Sequence, residues 1–353
     1  MDRHIKALSI LKEGTIIPAI PLVLDSNRQF DASKQQRLVR YYLEAGVGGV
    51  AAAVHTTQFE IRDSRYQLLA PVLQTVISEI DRYENESGKT LVRIAGVCGN
   101  IKQACSEAEL AKQLGYDAVL LSPGGLNHLS EAEMLERTRQ VASIMPVIGF
   151  YLQSSVGGRR FSFEYWKQLS DIPNVVAIKS APFNRYQTLD LVRGCASSAR
   201  RDEVALYTGN DDNIIIDLLT PYTFQIEGEI ITKRFVGGLL GHWSVWTHNA
   251  VDIFHKIKQY QERDTIPASL LTLAAQVTDA NGAFFDVAHE FKGCIAGIHE
   301  VLHRQELMEN IYCLNPDETL SAGQKEEIDR VYQMYPHLND DSFIKDYLKK
   351  LSK

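Results

Sequence analysis

Eight times between Ile16 and Tyr260 a short apolar run gives way to a helical stretch, and that order constrains the fold more than any other feature of the chain. Strand, helix and strand in succession read as a parallel pair with the helix crossing one face. Parallel strands are covered on both faces, so they appear as unbroken apolar runs. The runs here are Ile16 to Leu24, Gly49 to Val54, Leu91 to Val97, Ala118 to Leu121, Val147 to Tyr151, Val175 to Lys179, Val204 to Thr208 and Leu239 to Ser244. The punctuation between them is helical. Asp31 is placed to cap a helix that Gly46 closes, Gly115 stops another, and Ser130 with Glu133 forms a capping box. Eight repeats without a break favour a closed α/β architecture, a (β/α)8 TIM barrel, over a doubly wound sheet, which periodicity by itself leaves open.

A barrel of this kind takes about 250 residues, and the chain has 353. The expected division is a barrel over 1–262, with an insertion at about 221–235, and a C-terminal helical extension over 263–353. The insertion, Pro221 to Phe235, is rich in β-branched and aromatic residues and reads as a hairpin or lid. The extension is expected to pack on the barrel or on a neighbouring subunit. A net charge of -7, with both signs interspersed and no basic cluster, points to neither nucleic acid nor membrane as a partner. No apolar run reaches the roughly eighteen residues of a membrane span and no signal-peptide core is visible, so a cytoplasmic location is expected. The five cysteines, Cys98, Cys105, Cys195, Cys294 and Cys313, are scattered and contain no CxxC, and they read as buried thiols.

In a (β/α)8 barrel the residues that follow the strands share one mouth. Here they are His55, Thr56 and Thr57 after the second strand, Ser122 after the fourth, Tyr151 after the fifth, Lys179 after the sixth, Asn210, Asp211 and Asp212 after the seventh, and His242 near the end of the eighth. An ordinary lysine offers only about 0.04% free amine at neutral pH, but burial lowers its pKa by roughly 3 to 5 units. Lys179, closing a run of buried-strand character, is therefore the candidate Schiff-base nucleophile. Thr56 and Thr57 can offer two hydroxyls and two backbone N–H groups to a keto-acid carboxylate, with Thr56 also a catalytic candidate. Tyr151 could shuttle the protons that imine formation requires. His55, Thr57, Asn210, Asp211 and His242 are the candidate substrate-binding residues. Each has a plainer account: strand-end lysines reach into water, paired threonines are common in turns, and a tyrosine can simply pack. Their coincidence on one rim argues for function, with neither cofactor nor metal called for.

The residues resemble the dihydrodipicolinate synthase and N-acetylneuraminate lyase family of class I, Schiff-base-forming aldolases. The resemblance rests on Asp31 with Gly46-Val47-Gly48-Gly49, on Thr56-Thr57, on Tyr151, on the run Ile172 to Lys179, on Gly209-Asn210-Asp211-Asp212, on Gly238 to Ser244, and on a separation of 179 minus 151, or 28 residues. It implies a barrel with C-terminal helices, a homo-oligomer of two or four subunits, and an imine between Lys179 and pyruvate or another 2-keto acid. It also implies that Tyr151 relays protons and that Thr56 and Thr57 hold the carboxylate.

The departures are as informative. The family's Gly-Thr-Thr-Gly-Glu turn is here His55-Thr56-Thr57-Gln58-Phe59, with a carboxylate displaced to Glu60. Gly124 and Gly125 stand where the synthases place tyrosine, and Leu152-Gln153-Ser154-Ser155-Val156 replaces Asn-x-Pro-x-Arg, with Arg159 and Arg160 offset. The expectation is a lyase, aldolase or sugar-acid dehydratase taking a 2-keto acid and an aldehyde or sugar acid, and not a true dihydrodipicolinate synthase.

Two other readings compete. One is a barrel that binds a keto or sugar acid without turning it over. The other is a zinc metallopeptidase, because His299-Glu300-Val301-Leu302-His303 fits H-E-x-x-H. That motif needs a third ligand, for which Glu306, Glu309 and Glu318 are nearest, and its helix carries the apolar stripe Ile295, Ile298 and Leu302 that packing alone would require.

Overall fold

The computed structural model describes residues 2–351. In chain order the elements begin with α1 (Arg3–Glu13), β1 (Ile16–Pro18), α2 (Ala32–Ala45), β2 (Gly49–Ala52), α3 (Leu69–Ser87), β3 (Val92–Val97), α4 (Ile101–Gln113), β4 (Ala118–Leu121), α5 (Glu131–Ala142) and β5 (Val147–Leu152). They continue with α6 (Phe163–Asp171), β6 (Val175–Ala181), α7 (Arg185–Ala196), β7 (Ala205–Thr208), α8 (Ile214–Leu219), β8 (Tyr222–Ile226), β9 (Glu229–Lys233) and β10 (Phe235–Leu240). The helices α9 (Thr247–Lys258), α10 (Ser269–Phe284), α11 (Cys294–Arg304), α12 (Gln324–Met334) and α13 (Asp341–Leu351) complete the chain. The eight strands β1 to β7 and β10 belong to one sheet. The fold class is α/β, a (β/α)8 TIM barrel with a C-terminal helical extension.

The local signals act as their chemistry dictates. The Asp31 carboxylate accepts from Lys34 N–H, and Gly46 ends α2 at φ 97°. Ser130 and Glu133 cap α5 reciprocally. Residues cluster into two compact units.

The first unit holds the N-terminal segment to Thr15 and Val92–Leu239. Its parallel strands run in the order β10, β7, β6, β5, β4, β3. The strands from β3 to β7 are buried at nearly every residue, as a doubly covered sheet requires. α1, which the sequence reading did not assign, is capped by the Asp2 side chain and tied down by polar contacts. Arg3 reaches the buried Asp117 at 2.6 Å, and Tyr207 donates to the Leu11 carbonyl at 2.7 Å. The expected insertion is an antiparallel hairpin of β8 and β9, with Ile226 opposite Glu229. Its two-residue turn, Glu227-Gly228, has positive φ at both positions, the geometry that matches strand twist. The eighth barrel strand begins at Phe235, earlier than Leu239, where the sequence placed it. Gly237 and Gly238 look like breakers, but a Cβ at Gly237 would stand 2.2 Å from the Thr15 carbonyl oxygen, so glycine is what lets that strand lie close.

The second unit holds Ile16–Leu91 and the chain from Leu240. β1 and β2 are bridged in parallel at Ala19 and Ala51, and Ile20 N–H donates to Ala51 O at 3.0 Å. The buried Asp340 gathers Tyr41 OH (2.7 Å), His248 N–H (2.9 Å) and the Gln305 amide (2.9 Å), which fixes the approach to α13. Residues 310–314 form a strap across the loops that leave β1 and β2. Asn310 donates to Leu24 O, Arg28 to Cys313 O and Tyr66 to Leu314 O, at 3.1, 2.6 and 3.0 Å, and Leu314 N–H donates to the Gln58 side chain at 2.6 Å.

Candidate active site

Side chains alternate between the faces of a strand. Along β5 and β6 the faces can be assigned, because a Cβ at Gly149 would meet Leu169 of α6 at 2.6 Å. Gly149 and its partner Ile178 therefore face the helix layer, and Phe150 and Lys179, which pair next, face the other side. Tyr207 pairs with Lys179 from β7. The Lys179 amine lies 4.5 Å from the Phe150 ring centroid, and the residue is only 9% exposed. Burial pulls its pKa down to about 8, with the Asp211 carboxylate opposing the shift. The stem is held as closely as the head: a Cβ at Gly209 would lie 2.4 Å from Lys179 Cε and 3.1 Å from Cγ.

Tyr151 is on the opposite face. It pairs with Ser180, its ring packs on Trp166 (4.8 Å) and Phe161 (5.9 Å), and its hydroxyl accepts from Phe161 N–H at 3.4 Å. The expectation that it faces the lysine is corrected, and the cause is a bulge. Val147 pairs with Val175, an offset of 175 minus 147, or 28, but Ile148 pairs with Ala177, an offset of 177 minus 148, or 29. The extra residue on β6 is Val176, and a one-residue change of register exchanges the faces.

The turn after β7 is built from within. Asn210 is fully buried: its amide oxygen accepts from Phe183 N–H (3.1 Å), and its NH2 donates to Asp217 (2.9 Å) and Thr188 (3.3 Å). The amide is thereby engaged by the fold, which corrects its assignment to substrate. Asp217 is the centre of the network. It also accepts from Arg185 (2.5 Å), Thr208 (2.7 Å), Asn213 (3.1 Å) and Tyr222 of the inserted hairpin (3.0 Å). The sequence reading missed Asp217 and Phe150, and it named Gly209 in the turn motif without its contact to the lysine stem. The signal for Asp217 was present, a lone carboxylate in the apolar run Ile214 to Leu219. Asp211, buried at the same turn, is the carboxylate whose charge Lys179 feels.

In the second unit, His55, Thr56 and Thr57 form a single helical turn after β2. Thr56 donates its hydroxyl proton to Ala19 O at 2.5 Å, and Thr57 donates to Ile20 O at 2.7 Å. Both hydroxyls thus donate to the exit of β1, which corrects the hydroxyl half of the donor set expected for a carboxylate. Gln58 holds φ 68°, a left-handed value that favours glycine, and its side chain receives the strap. The His55 ring lies 5.8 Å from that of Phe59. His242 is buried in the turn after β10, its ring stacked 6.4 Å from Phe284, and burial pulls its pKa to about 4 against a hydrogen bond to Asn281.

The H-E-x-x-H helix is used for packing. The His299 ring contacts Ile311 O at 3.3 Å, the His303 ring contacts Met308 O at 3.0 Å, and Glu300 accepts from Arg304 at 2.8 Å. Among the described residues no group of three or more His, Cys, Asp or Glu could hold a metal ion, so the zinc-peptidase reading is set aside.

Comparison with known proteins places this arrangement. The model of the Dihydrodipicolinate synthetase family matches residues 12–221. N-acetylneuraminate lyase 2 of Escherichia coli O6:H1 is 24% identical over 307 residues, 85% of this chain and 87% of that protein. The 4-hydroxy-tetrahydrodipicolinate synthase of Caldicellulosiruptor bescii is 31% identical over 125 residues, 35% of this chain and 40% of its own. Among solved structures, a prophage protein of E. coli K12 from the dihydrodipicolinic acid synthase family, in complex with pyruvate, superposes with a TM-score of 0.73 at 16% identity, covering 91% of this chain and 98% of that one. The N-acetylneuraminate lyase of Fusobacterium nucleatum gives 0.69 at 14%, over 92% and 99%.

Proposed function

Because this chain belongs to the dihydrodipicolinate synthetase family, whose relatives include lyases and synthases, we propose that it makes or breaks a bond beside a 2-keto acid carbonyl through an imine on Lys179. The observation that carries the proposal is a buried amine with its pKa brought down to about 8. At neutral pH such a lysine is uncharged roughly a tenth of the time, against about 0.04% in water. The free amine attacks the carbonyl carbon, the carbonyl oxygen leaves as water, and the protonated imine then draws electrons from the neighbouring carbon. That electron sink stabilises the carbanion formed when a carbon–carbon or carbon–oxygen bond breaks.

Pyruvate complexes of structural neighbours support pyruvate as the first keto acid to try. The second substrate is proposed to be an aldehyde or sugar acid other than that of dihydrodipicolinate synthase, since Leu152 to Val156 carries no arginine. Arg159, the first to follow, lies on the Leu129 carbonyl and over the Phe161 ring. The proposal includes a cytoplasmic homo-oligomer. Treatment with pyruvate and borohydride should add the mass of the reduced imine to the peptide containing Lys179. No labelling with any 2-keto acid tried would refute the reading. A barrel that only binds keto acids is the second reading, favoured by the outward face of Tyr151, and turnover of a trapped keto acid with any aldehyde or sugar acid excludes it.

A further inference from the structure

Imine formation moves protons at least twice, and the tyrosine expected to move them has its hydroxyl in the helix layer, accepting from Phe161 N–H. The β5 residue that shares the face of Lys179 is Phe150, which has no proton to give. The acid–base group must then come from another strand end. The turn after β7 supplies one. Gly209 is pressed against the lysine stem, close enough that a Cβ there would touch Cε at 2.4 Å. Two residues on is Asp211, 8% exposed, in a turn pinned by the Asn210 and Asp217 network. Its neighbour Asp212 interacts instead with Arg185 and Asp217. Asp211 is the group whose negative charge reaches the amine.

We propose that Asp211 is the catalytic carboxylate that exchanges protons with Lys179 and its substrate adduct, in the role expected of the tyrosine. This rests on the reading of Lys179 as the imine-forming residue. Asp211 first accepts a proton from the Lys179 ammonium, which frees the lone pair for attack on the carbonyl carbon. The tetrahedral adduct moves a proton from nitrogen to oxygen through the same carboxyl group. Protonated Asp211 then gives its proton to the carbinolamine hydroxyl, the C–O bond breaks, water leaves, and the nitrogen lone pair closes the protonated imine. The resulting carboxylate stands beside the iminium charge and can take a proton from the adjacent carbon, which yields the enamine. Asp211 returns that proton when the enamine carbon is protonated again, so no oxidant, reductant or further group is consumed.

The test compares Asp211→Asn, Asp211→Glu and Tyr151→Phe in the intact chain, by the rate of borohydride trapping of pyruvate and by exchange of its methyl protons with deuterated water. Asp211→Asn should slow both by about 10² to 10⁴, Asp211→Glu should recover part of the loss, and the acidic group should vanish from the pH profile of trapping. A substrate-free readout separates the two proposals. The pH dependence of Lys179 acylation should shift to lower pH in Asp211→Asn, because the anion that favours the ammonium is gone. If the Asn variant does not fold by circular dichroism, Asp211→Ser with added formate takes its place, and a rate restored by formate is the expected result. Wild-type trapping rates in the folded Asn variant, no restoration by formate, or an equal loss in Tyr151→Phe would overturn the role of Asp211 and leave the imine standing. No trapping by the wild type would overturn both.

Discussion

A lysine whose ammonium is kept in a buried site destabilises the fold that holds it. The unfolded chain keeps the proton of Lys179 to its ordinary value of 10.5, whereas the folded chain releases it near 8. Between those values the unfolded state binds the extra proton, so stability rises with pH from about 8 to 10.5, and the full penalty applies below 8. Its size is on the order of 3 kcal/mol. Lys179→Met should therefore raise stability by about 1 to 3 kcal/mol at pH 7 and flatten its rise towards pH 10, which urea melts at the two pH values will show. Lys179→Ala should abolish imine trapping while the circular dichroism spectrum stays that of the wild type; trapping that persists would place the nucleophile elsewhere. At this scale the sequence identified the lysine from the apolar run it closes, and it misplaced Tyr151 because counting residues cannot see Val176 bulge out of the ladder. The hydroxyls of Thr56 and Thr57 were misread for a related reason. Their acceptors, the carbonyls of Ala19 and Ile20, lie 37 residues away in the chain.

Elements are where the inserted hairpin acquires a purpose. Tyr222 of β8 donates to Asp217, Asp217 receives Thr208 and Asn210, and those residues shape the turn that carries Asp211. Tyr222→Phe removes one donor from a buried carboxylate that keeps several others, so it should cost about 1 kcal/mol in chemical denaturation and leave imine trapping measurable. Asp217→Ala leaves the buried amide of Asn210 and the hydroxyl of Thr208 without that acceptor, and should cost at least about 2 to 3 kcal/mol. If both variants melt like the wild type, the network is ornamental. Strands and helices were legible because a doubly covered sheet writes itself as apolar runs, and caps such as Asp31 and Ser130 write themselves in four residues. The start of β10 was not, since Gly237 and Gly238 carry no side-chain signal, and their reason is the approach of Thr15.

For the whole molecule, the eightfold alternation favoured the barrel over a doubly wound sheet, and the family match adds relatives that are lyases and synthases. The match stops at residue 221, where the hairpin begins. Purified protein should contain zinc well below one equivalent by elemental analysis, and a chelator should leave imine trapping unchanged; stoichiometric zinc with chelator-sensitive activity would revive the H-E-x-x-H helix. Sedimentation should show a dimer or tetramer, and a monomer at micromolar concentration would remove the homo-oligomer from the proposal.

The strap formed by residues 310–314 ties the C-terminal region to Gln58, the residue that succeeds the threonine pair. Trimming or exchanging the tail would therefore be felt at the turn after β2. In descent from a common ancestor the two pieces would change together: a lineage that put glycine back at position 58 would give up one of the strap's four ties, and one that shed the tail would leave the turn without its outer partner.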